Sequence, residues 1–283
     1  ASADPGLVPH IVYVDASAME PLGTEEVAAA AYSLAENGFV ILEPADAEGP
    51  SLVDRALCQR CEGAAVEQCE LLLRQVGQRA GINVFEKRFY FAEICHRVDG
   101  GLRYDMRCDV PGAAACWQDL QAEVERLARP VIFESRLFAA RCSAPEDIRV
   151  DISGCVTSFP SACDQHFHPD GPAPGLVNCF VPLVDMDHRN GSTELKPRTH
   201  LDDQTAWNFV ARETGIAADM RAGSLLLFDF RTHHRGRAHR RNEEPRPIAY
   251  VIMAAPGVSD THNFGGYDSV WDLATNPALA EAG

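Results

Sequence analysis

Apolar and polar residues change their rhythm along the 283-residue chain near position 131. Before it the spacing is mostly helical. The run TEEVAAAAYSLAENG from Thr24 has a threonine at the N-cap position, acids in the first turn, an alanine-rich body and a closing Gly38, which predicts a helix. FVILEP, from Phe39, predicts a strand. Residues 51–80 carry Leu, Val and Ala at helical spacing, and GAAACWQDLQAEVERLAR (112–129) predicts a third helix ended by Pro130. Residues 1–23, with Pro5, Pro9 and Pro21, predict irregular structure. Beyond 131 come short β-type runs separated by turn residues: VIFESRLFAA, IRVDISGCVTSF, GLVNCFVPLV, GSLLLFDF and RPIAYVIMAA. Such punctuation predicts an antiparallel barrel or sandwich. Residues 201–220 interrupt it as a helix or long insertion.

The resulting expectation is a mainly β protein with flanking helices, one domain over 1–283. Residues 1–130 would form a mostly helical support region, 131–256 the β core and 257–283 a C-terminal tail.

Composition narrows the function classes. Hydrophobic residues make up 46% and charged residues 23%, enough to bury a large core. The formal charge of −16 argues against a general nucleic-acid or anionic-membrane binder, since both need a positive field, and leaves a small-molecule substrate as the expected partner. No apolar stretch is long enough to span a membrane and the N-terminus lacks the pattern of a signal peptide. The ten cysteines are scattered, which suits reduced thiols in the cytoplasm or another intracellular compartment; a leader cleaved ahead of Ala1 is compatible with the sequence. Cys58 and Cys61 form a lone CxxC with no second pair to complete a zinc site, so buried structural thiols are expected. Oligomeric state is not written in the sequence.

The chemistry-bearing segment is CDQHFHPDGPAPG. His168 and Asp170 stand two apart at the end of a predicted strand, where positions i and i+2 share a face. Pro169, Gly171 and Pro172 break the strand there, leaving the pair at a barrel rim. Alone, His-x-Asp is more often a rim pair bonding its own turn. A third ligand is offered by SLLLFDFRTHH (224–234), an apolar strand ending in two histidines, of which only His234 or His233 can face the metal. Two histidines and one carboxylate make a facial triad that leaves iron(II) positions open for a chelating cosubstrate and dioxygen. Arg246 opens the next strand. A hairpin between 224–234 and 246–255 would bring it near His234, at a reach that 2-oxoglutarate could span, whereas Arg237, Arg240 and Arg241 read as a solvated charge run.

QHFHPDG, NGSTELKPRTHL, GSLLLFDFRTHHRG and PRPIAY together resemble the phytanoyl-CoA dioxygenase family, over roughly residues 150–255, with GFVILE similar to the family's early strand. The resemblance implies a double-stranded β-helix (a jelly-roll, cupin-like core), iron(II), 2-oxoglutarate and O2, and oxidative decarboxylation driving substrate hydroxylation with release of succinate and CO2. By position, His168, Asp170 and His234 match the iron ligands and Arg246 the cosubstrate arginine. Arg198 stands where a glycine is common, His239 where asparagine is common, and Gly236 lacks a hydroxyl that some members direct at the cosubstrate. Asn178 and Thr193 enter as further cosubstrate-binding candidates, each equally able to satisfy a backbone turn.

Two features bear on substrate. Arg97, Arg103, Tyr104, Asp105 and Arg107 bunch near turn glycines, as a pocket entrance or as a buried ion-pair network joining the helices to the barrel. His166 shares the face of His168, as a supporting partner or a simple strand histidine. Three functions compete: an oxygenase, a halogenase, which Asp170 opposes, and a non-catalytic or other-metal β-helix binding module, which the positioned Arg246 opposes.

Overall fold

The computed structural model describes residues 10–17, 22–96, 101–110, 112–201, 215–240, 244–261 and 263–274. Its strands are β1 (Ile11–Val14), β2 (Phe39–Pro44), β3 (Ile94–His96), β4 (Arg103–Arg107), β5 (Arg149–Ser158), β6 (Leu176–Pro182), β7 (Thr193–Leu195), β8 (Ile216–Ala217), β9 (Leu225–Asp229), β10 (His234–Gly236) and β11 (Arg246–Ala254). Helices α1 (Thr24–Asn37), α2 (Arg55–Gln75) and α3 (Cys116–Glu134) cover one face. The large sheet has the order β1-β2-β9-β6-β11-β5-β4-β3 and the small one β10-β7-β8. Together they form the flattened barrel of a double-stranded β-helix.

Strand alternation sorts the side chains of the large sheet. Val40, Leu42, Val177, Cys179, Leu225, Leu227, Ala249 and Val251 pack with the helices in one core. Their neighbours Phe39, Ile41, Leu226, Phe228 and Ile248 turn to the barrel interior. A strand covered on both faces has no polar side, which is why all six residues of FVILEP are buried. The same parity places Asn178 of β6 and Arg246 of β11 on the interior face.

Four expectations are corrected. Pro130 does not end α3, which runs to Glu134. Buried Val124, Leu127, Ala128, Val131 and Ile132 continue one helical stripe through it. Burying Val131 and Ile132 is worth ~1.5–3 kcal/mol each, which offsets the ~3 kcal/mol cost of a proline inside a helix. VIFESRLFAA is therefore helix and turns, not strand. The hairpin between 224–234 and 246–255 does not form: β9 pairs with β2 and β6, β10 with β7, and β11 with β5 and β6. A turn at 229–232 redirects the chain, with Thr232 N–H donating to the Asp229 carbonyl (2.8 Å) and the Asp229 carboxylate accepting from Arg231 N–H (2.9 Å). Finally, α1 is capped by Gly23, with no side-chain bond from Thr24.

The N-terminal third also contributes strands β1–β4 to the large sheet. Most of the expected 201–220 insertion (202–214) lies outside the described residues, of which β8 forms the end. The ten cysteines form no disulfide, and eight are buried. Cys58, Cys61 and Cys69 face the core from α2, and burial pushes the Cys58 thiol up to about 12. No described helix is long and apolar enough to cross a membrane.

The turn that delivers β10 is anchored on the end of α1. Gly38 has φ 83°, its carbonyl accepts from Asp229 N–H (2.8 Å) and the Thr232 hydroxyl (2.9 Å), and Arg198 N–H donates to the Asn37 carbonyl (2.7 Å). A Cβ at Gly38 would lie 2.5 Å from His200 Nδ1 and 2.6 Å from Thr232 Oγ1. Gly38→Ala should therefore destabilise the protein by at least ~1–2 kcal/mol, from the left-handed backbone alone, measured by urea unfolding.

Candidate active site

His168, Asp170 and His234 converge at one end of the barrel, with one ligand atom from each lying within 4.8 Å of the others. The convergence is made by backbone. His168 and His234 form an antiparallel bridge, N–H to carbonyl at 3.0 and 2.9 Å, and Asp170 N–H donates to the Phe230 carbonyl at 2.9 Å. Each imidazole is then oriented by a carbonyl two residues earlier: His168 Nδ1 by His166 (2.8 Å) and His234 Nδ1 by Thr232 (3.0 Å). A carbonyl can only accept, so these bonds assign the proton to Nδ1 and leave Nε2 as the lone-pair donor of both rings. His234 Nε2 sits 3.6 Å from Asp170 Oδ2. Asn178 Nδ2 donates to the same carboxylate oxygen at 2.5 Å. Two neutral imidazoles and one carboxylate, each held by a second bond, fit a divalent metal of the iron(II) type.

Sequence reasoning left two adjacent histidines open, and the structure brings His234 to the cluster. His233 is buried elsewhere, its N–H on Thr199 Oγ1 (2.9 Å) and its carbonyl accepting from Lys196 N–H (2.8 Å). His166 contributes its backbone rather than its ring. His239 is buried with Nε2 on the Glu244 carbonyl (2.9 Å), away from the cavity lining. Arg237 is not solvated: it pairs with Glu194 (2.7 Å) and Asp164 (3.2 Å), while Arg240 is exposed and Arg241 lies outside the described residues. Arg198 takes φ 66°, the left-handed backbone that glycine adopts without strain.

The cavity beside the cluster is lined by Arg246, Asn178 and Thr193, so all the residues singled out for the site meet there. Asn178 spends its amide on Asp170, and Thr193 lies opposite Gly236 in the β7–β10 pair. Arg246 arrives by a route other than the expected hairpin: it lies opposite Ser158 on β5, where Nη2 donates to Ser158 Oγ (2.6 Å) and Nη1 to the Gly191 carbonyl (2.6 Å). Its Nε has no hydrogen-bond partner and it forms no ion pair among the described residues. Burial, followed by the nearby Arg103 charge, pulls its pKa down to about 9. It therefore stays a cation at neutral pH.

Arg103 and Asp105, whose place the sequence left open, both line the cavity, and Tyr250, which sequence reasoning did not single out, donates its hydroxyl to Asp105 (2.9 Å). Tyr104 faces the other way, onto the Val84 carbonyl (3.0 Å), and Arg107 pairs with Asp109 (2.7 Å). Arg97 lies outside the described residues. Ser158, which accepts from two guanidinium groups, carried no signal, because its partners stand 55 and 88 positions away.

The phytanoyl-CoA dioxygenase (PhyH) family model matches residues 36–248. The chain belongs to that family, a class of 2-oxoglutarate-dependent, non-haem iron oxygenase-type enzymes. No curated protein sequence matches it. Among solved structures it is similar in fold to AviO1 from Streptomyces viridochromogenes Tue57, at 18% identity over 84% of this chain and 98% of that one, with a TM-score of 0.58. It is also similar to SnoK, a non-haem α-ketoglutarate-dependent carbocyclase from nogalamycin biosynthesis (18% identity, 86% and 90% covered, TM-score 0.55). HygX from Streptomyces hygroscopicus, solved with nickel and 2-oxoglutarate, matches at 13% identity over 88% and 96% of the chains, TM-score 0.54.

Ser158→Ala should destabilise the protein by at least ~2 kcal/mol in chemical denaturation, because it strips a shared acceptor from two buried guanidinium groups.

Proposed function

We propose that this chain is a hydroxylase of a small-molecule substrate, with His168, Asp170 and His234 holding iron(II) and Arg246 holding the distal carboxylate of 2-oxoglutarate. The observation that carries the reading is the coincidence, in one cavity, of a His-Asp-His cluster with a buried guanidinium that forms no ion pair among the described residues. When bound, iron(II) and 2-oxoglutarate supply the oxidative decarboxylation, with O2, that yields succinate, CO2 and an oxidised substrate. The protein's share is geometry. His168 and His234 present Nε2 because Nδ1 is held, Asp170 is oriented by the Asn178 amide on Oδ2, the oxygen that faces His234, and Arg246 offers a planar fork in a buried wall. A metal held there by only three protein ligands would keep room for the cosubstrate. The cavity wall continues through Asp105, Tyr250 and Asn263, polar groups suited to a small molecule bearing hydroxyl or amine groups.

Asp170→Ala should lose turnover and bind iron(II) far more weakly, because two ligands retain neither the charge nor the facial geometry. His234→Ala should do the same, while His233→Ala keeps its iron stoichiometry; metal analysis of the three variants decides between the histidines. Iron bound as in wild type by Asp170→Ala would remove the assignment.

Arg246→Ala should spare iron and weaken 2-oxoglutarate by roughly thirty-fold or more, since truncating one member of a buried charge pair costs ~2–5 kcal/mol. The measurement is a titration of the anaerobic iron(II) protein followed by its visible charge-transfer absorbance, with exposed Arg240→Ala as control. A wild-type protein that binds metal but neither binds nor consumes 2-oxoglutarate would instead be a binding module.

A further inference from the structure

Arg246 is not the cavity's single cation. Ser158 of β5 lies between Arg103 of β4 and Arg246 of β11, directly opposite both in the sheet register. The two guanidinium groups meet on its hydroxyl, Arg103 Nε at 2.8 Å and Arg246 Nη2 at 2.6 Å. Both residues are at most 2% exposed and both line the same cavity as the His-Asp-His cluster. Neither forms an ion pair among the described residues: Arg103 donates otherwise only to the carbonyls of Arg237 (2.8 Å) and, at a long 3.4 Å, Gly236. Two like charges beside each other out of water repel and are poorly solvated, and carbonyl dipoles and the Asp164 charge, which makes no ion pair with Arg103, compensate only part of that cost. Burial lowers the Arg103 pKa to about 10, still leaving it charged at neutral pH. A carboxylate in the cavity resolves the imbalance, and two guanidinium groups suit its two oxygens.

The neighbouring glycine points the same way. A Cβ at Gly236 would lie 2.8 Å from Arg103 Cζ and Nη1, and 2.8 Å from Gln165 Oε1. Neither neighbour is free to yield. Arg103 is held by the three bonds above, and Gln165 Oε1 accepts from Gly236 N–H at 2.9 Å. The φ of Gly236 is not in the left-handed range, so space, not backbone conformation, requires glycine there.

We infer that Arg103 is a second cosubstrate-binding arm beside Arg246, that both close on the distal carboxylate of the 2-oxo acid, and that position 236 is glycine to admit this arm. The inference rests on the 2-oxoglutarate reading above. A competing role for Arg103 is purely structural, as a bolt from β4 to the carbonyls of β10 and its following residue. The two roles differ in the ligand-free protein. A bolt stabilises it, whereas a buried cation with no direct ion pair among the described residues, eased only by the nearby Asp164 charge, does not, and replacing such a charge with an apolar side chain of similar length is often neutral or stabilising.

The test uses wild type, Arg103→Met, Arg103→Lys, Gly236→Ala and the double variant Arg103→Met/Gly236→Ala. The 2-oxoglutarate affinity of the anaerobic iron(II) proteins is read by charge-transfer absorbance, and melting temperature is read with and without 2-oxoglutarate. Arg103→Met should weaken 2-oxoglutarate by roughly thirty-fold or more, with iron affinity kept and the ligand-free melting temperature unchanged or higher. Its melting shift on adding 2-oxoglutarate should shrink accordingly. Arg103→Lys should recover part of the affinity, since it restores charge without the fork. Gly236→Ala should weaken binding in the wild-type background and have little further effect beside Arg103→Met, the non-additivity of two changes acting on one contact. Wild-type affinity in Arg103→Met, together with a lower ligand-free melting temperature, would establish the bolt and overturn the inference. An equal cost of Gly236→Ala in both backgrounds would overturn the role given to the glycine. A wild-type protein that binds no 2-oxoglutarate is a different result, because it removes the underlying functional reading before Arg103 is in question.

Discussion

A single antiparallel bridge, His168 to His234, holds the site together. It is only two hydrogen bonds wide, yet it fixes the spacing of two imidazoles and, through the next turn, places Asp170 against the Phe230 carbonyl. The strand that carries His234 is secured on its other edge as well. It pairs with β7, where Arg235 lies opposite Glu194 and donates to it at 2.7 Å. Glu194 also accepts from Arg237 at 2.7 Å, so one buried carboxylate ties down both residues flanking Gly236. Such rigidity is what three side chains would need to share one metal, since a misplacement of the order of an ångström loses geometry that no side chain can restore.

That strand depends in turn on a corner far from it in sequence. The end of α1, the glycine after it, and the 196–201 turn lock against the 229–232 turn: Thr199 Oγ1 accepts from His233 N–H, and His200 Nε2 contacts the Ala35 carbonyl at 3.0 Å. The helical layer is therefore more than a cover for the apolar face of the large sheet. It positions His234 in the His-Asp-His cluster, which accounts for buried Asn37, Thr199 and His200 in a region otherwise packed with aliphatic side chains.

Most of this was legible where the signal is local. The strands at 39–44, 149–158, 176–182 and 246–254 show as β-type runs, whereas the strand expected to carry His168 and Asp170 is irregular chain in which His168 makes only an isolated bridge. What escaped was non-local or balanced between competing terms. Neighbouring strands usually pair, so 224–234 and 246–255 read as a hairpin; here the chain passes to the second sheet between them, and the pairings that replace it span dozens of residues. Pro130 is a reliable stop signal by itself, but apolar residues at 131 and 132 continue the buried stripe and outweigh it. Arg103 carried no local mark of its role, because Ser158 and the carbonyls of 236 and 237 reach it only through the fold.

The acidic surface and the cationic interior are compatible for a reason of range. A formal charge of −16 spread over the chain acts through water and salt, which damp it within ~8 Å at physiological ionic strength. Arg103 and Arg246 act from at most 2% exposure, where screening is weak and where a carboxylate meets fixed donors rather than mobile water. Net charge thus argues against extended polyanions as partners while saying little about a small dianion that fits inside. Discrimination between anions would then rest on reach: the guanidinium pair suits any carboxylate, but only a molecule that also extends to the His-Asp-His cluster gains contacts at both ends. That requirement favours a short dicarboxylate chelator over a free monocarboxylate, which can satisfy one end of the cavity but not both.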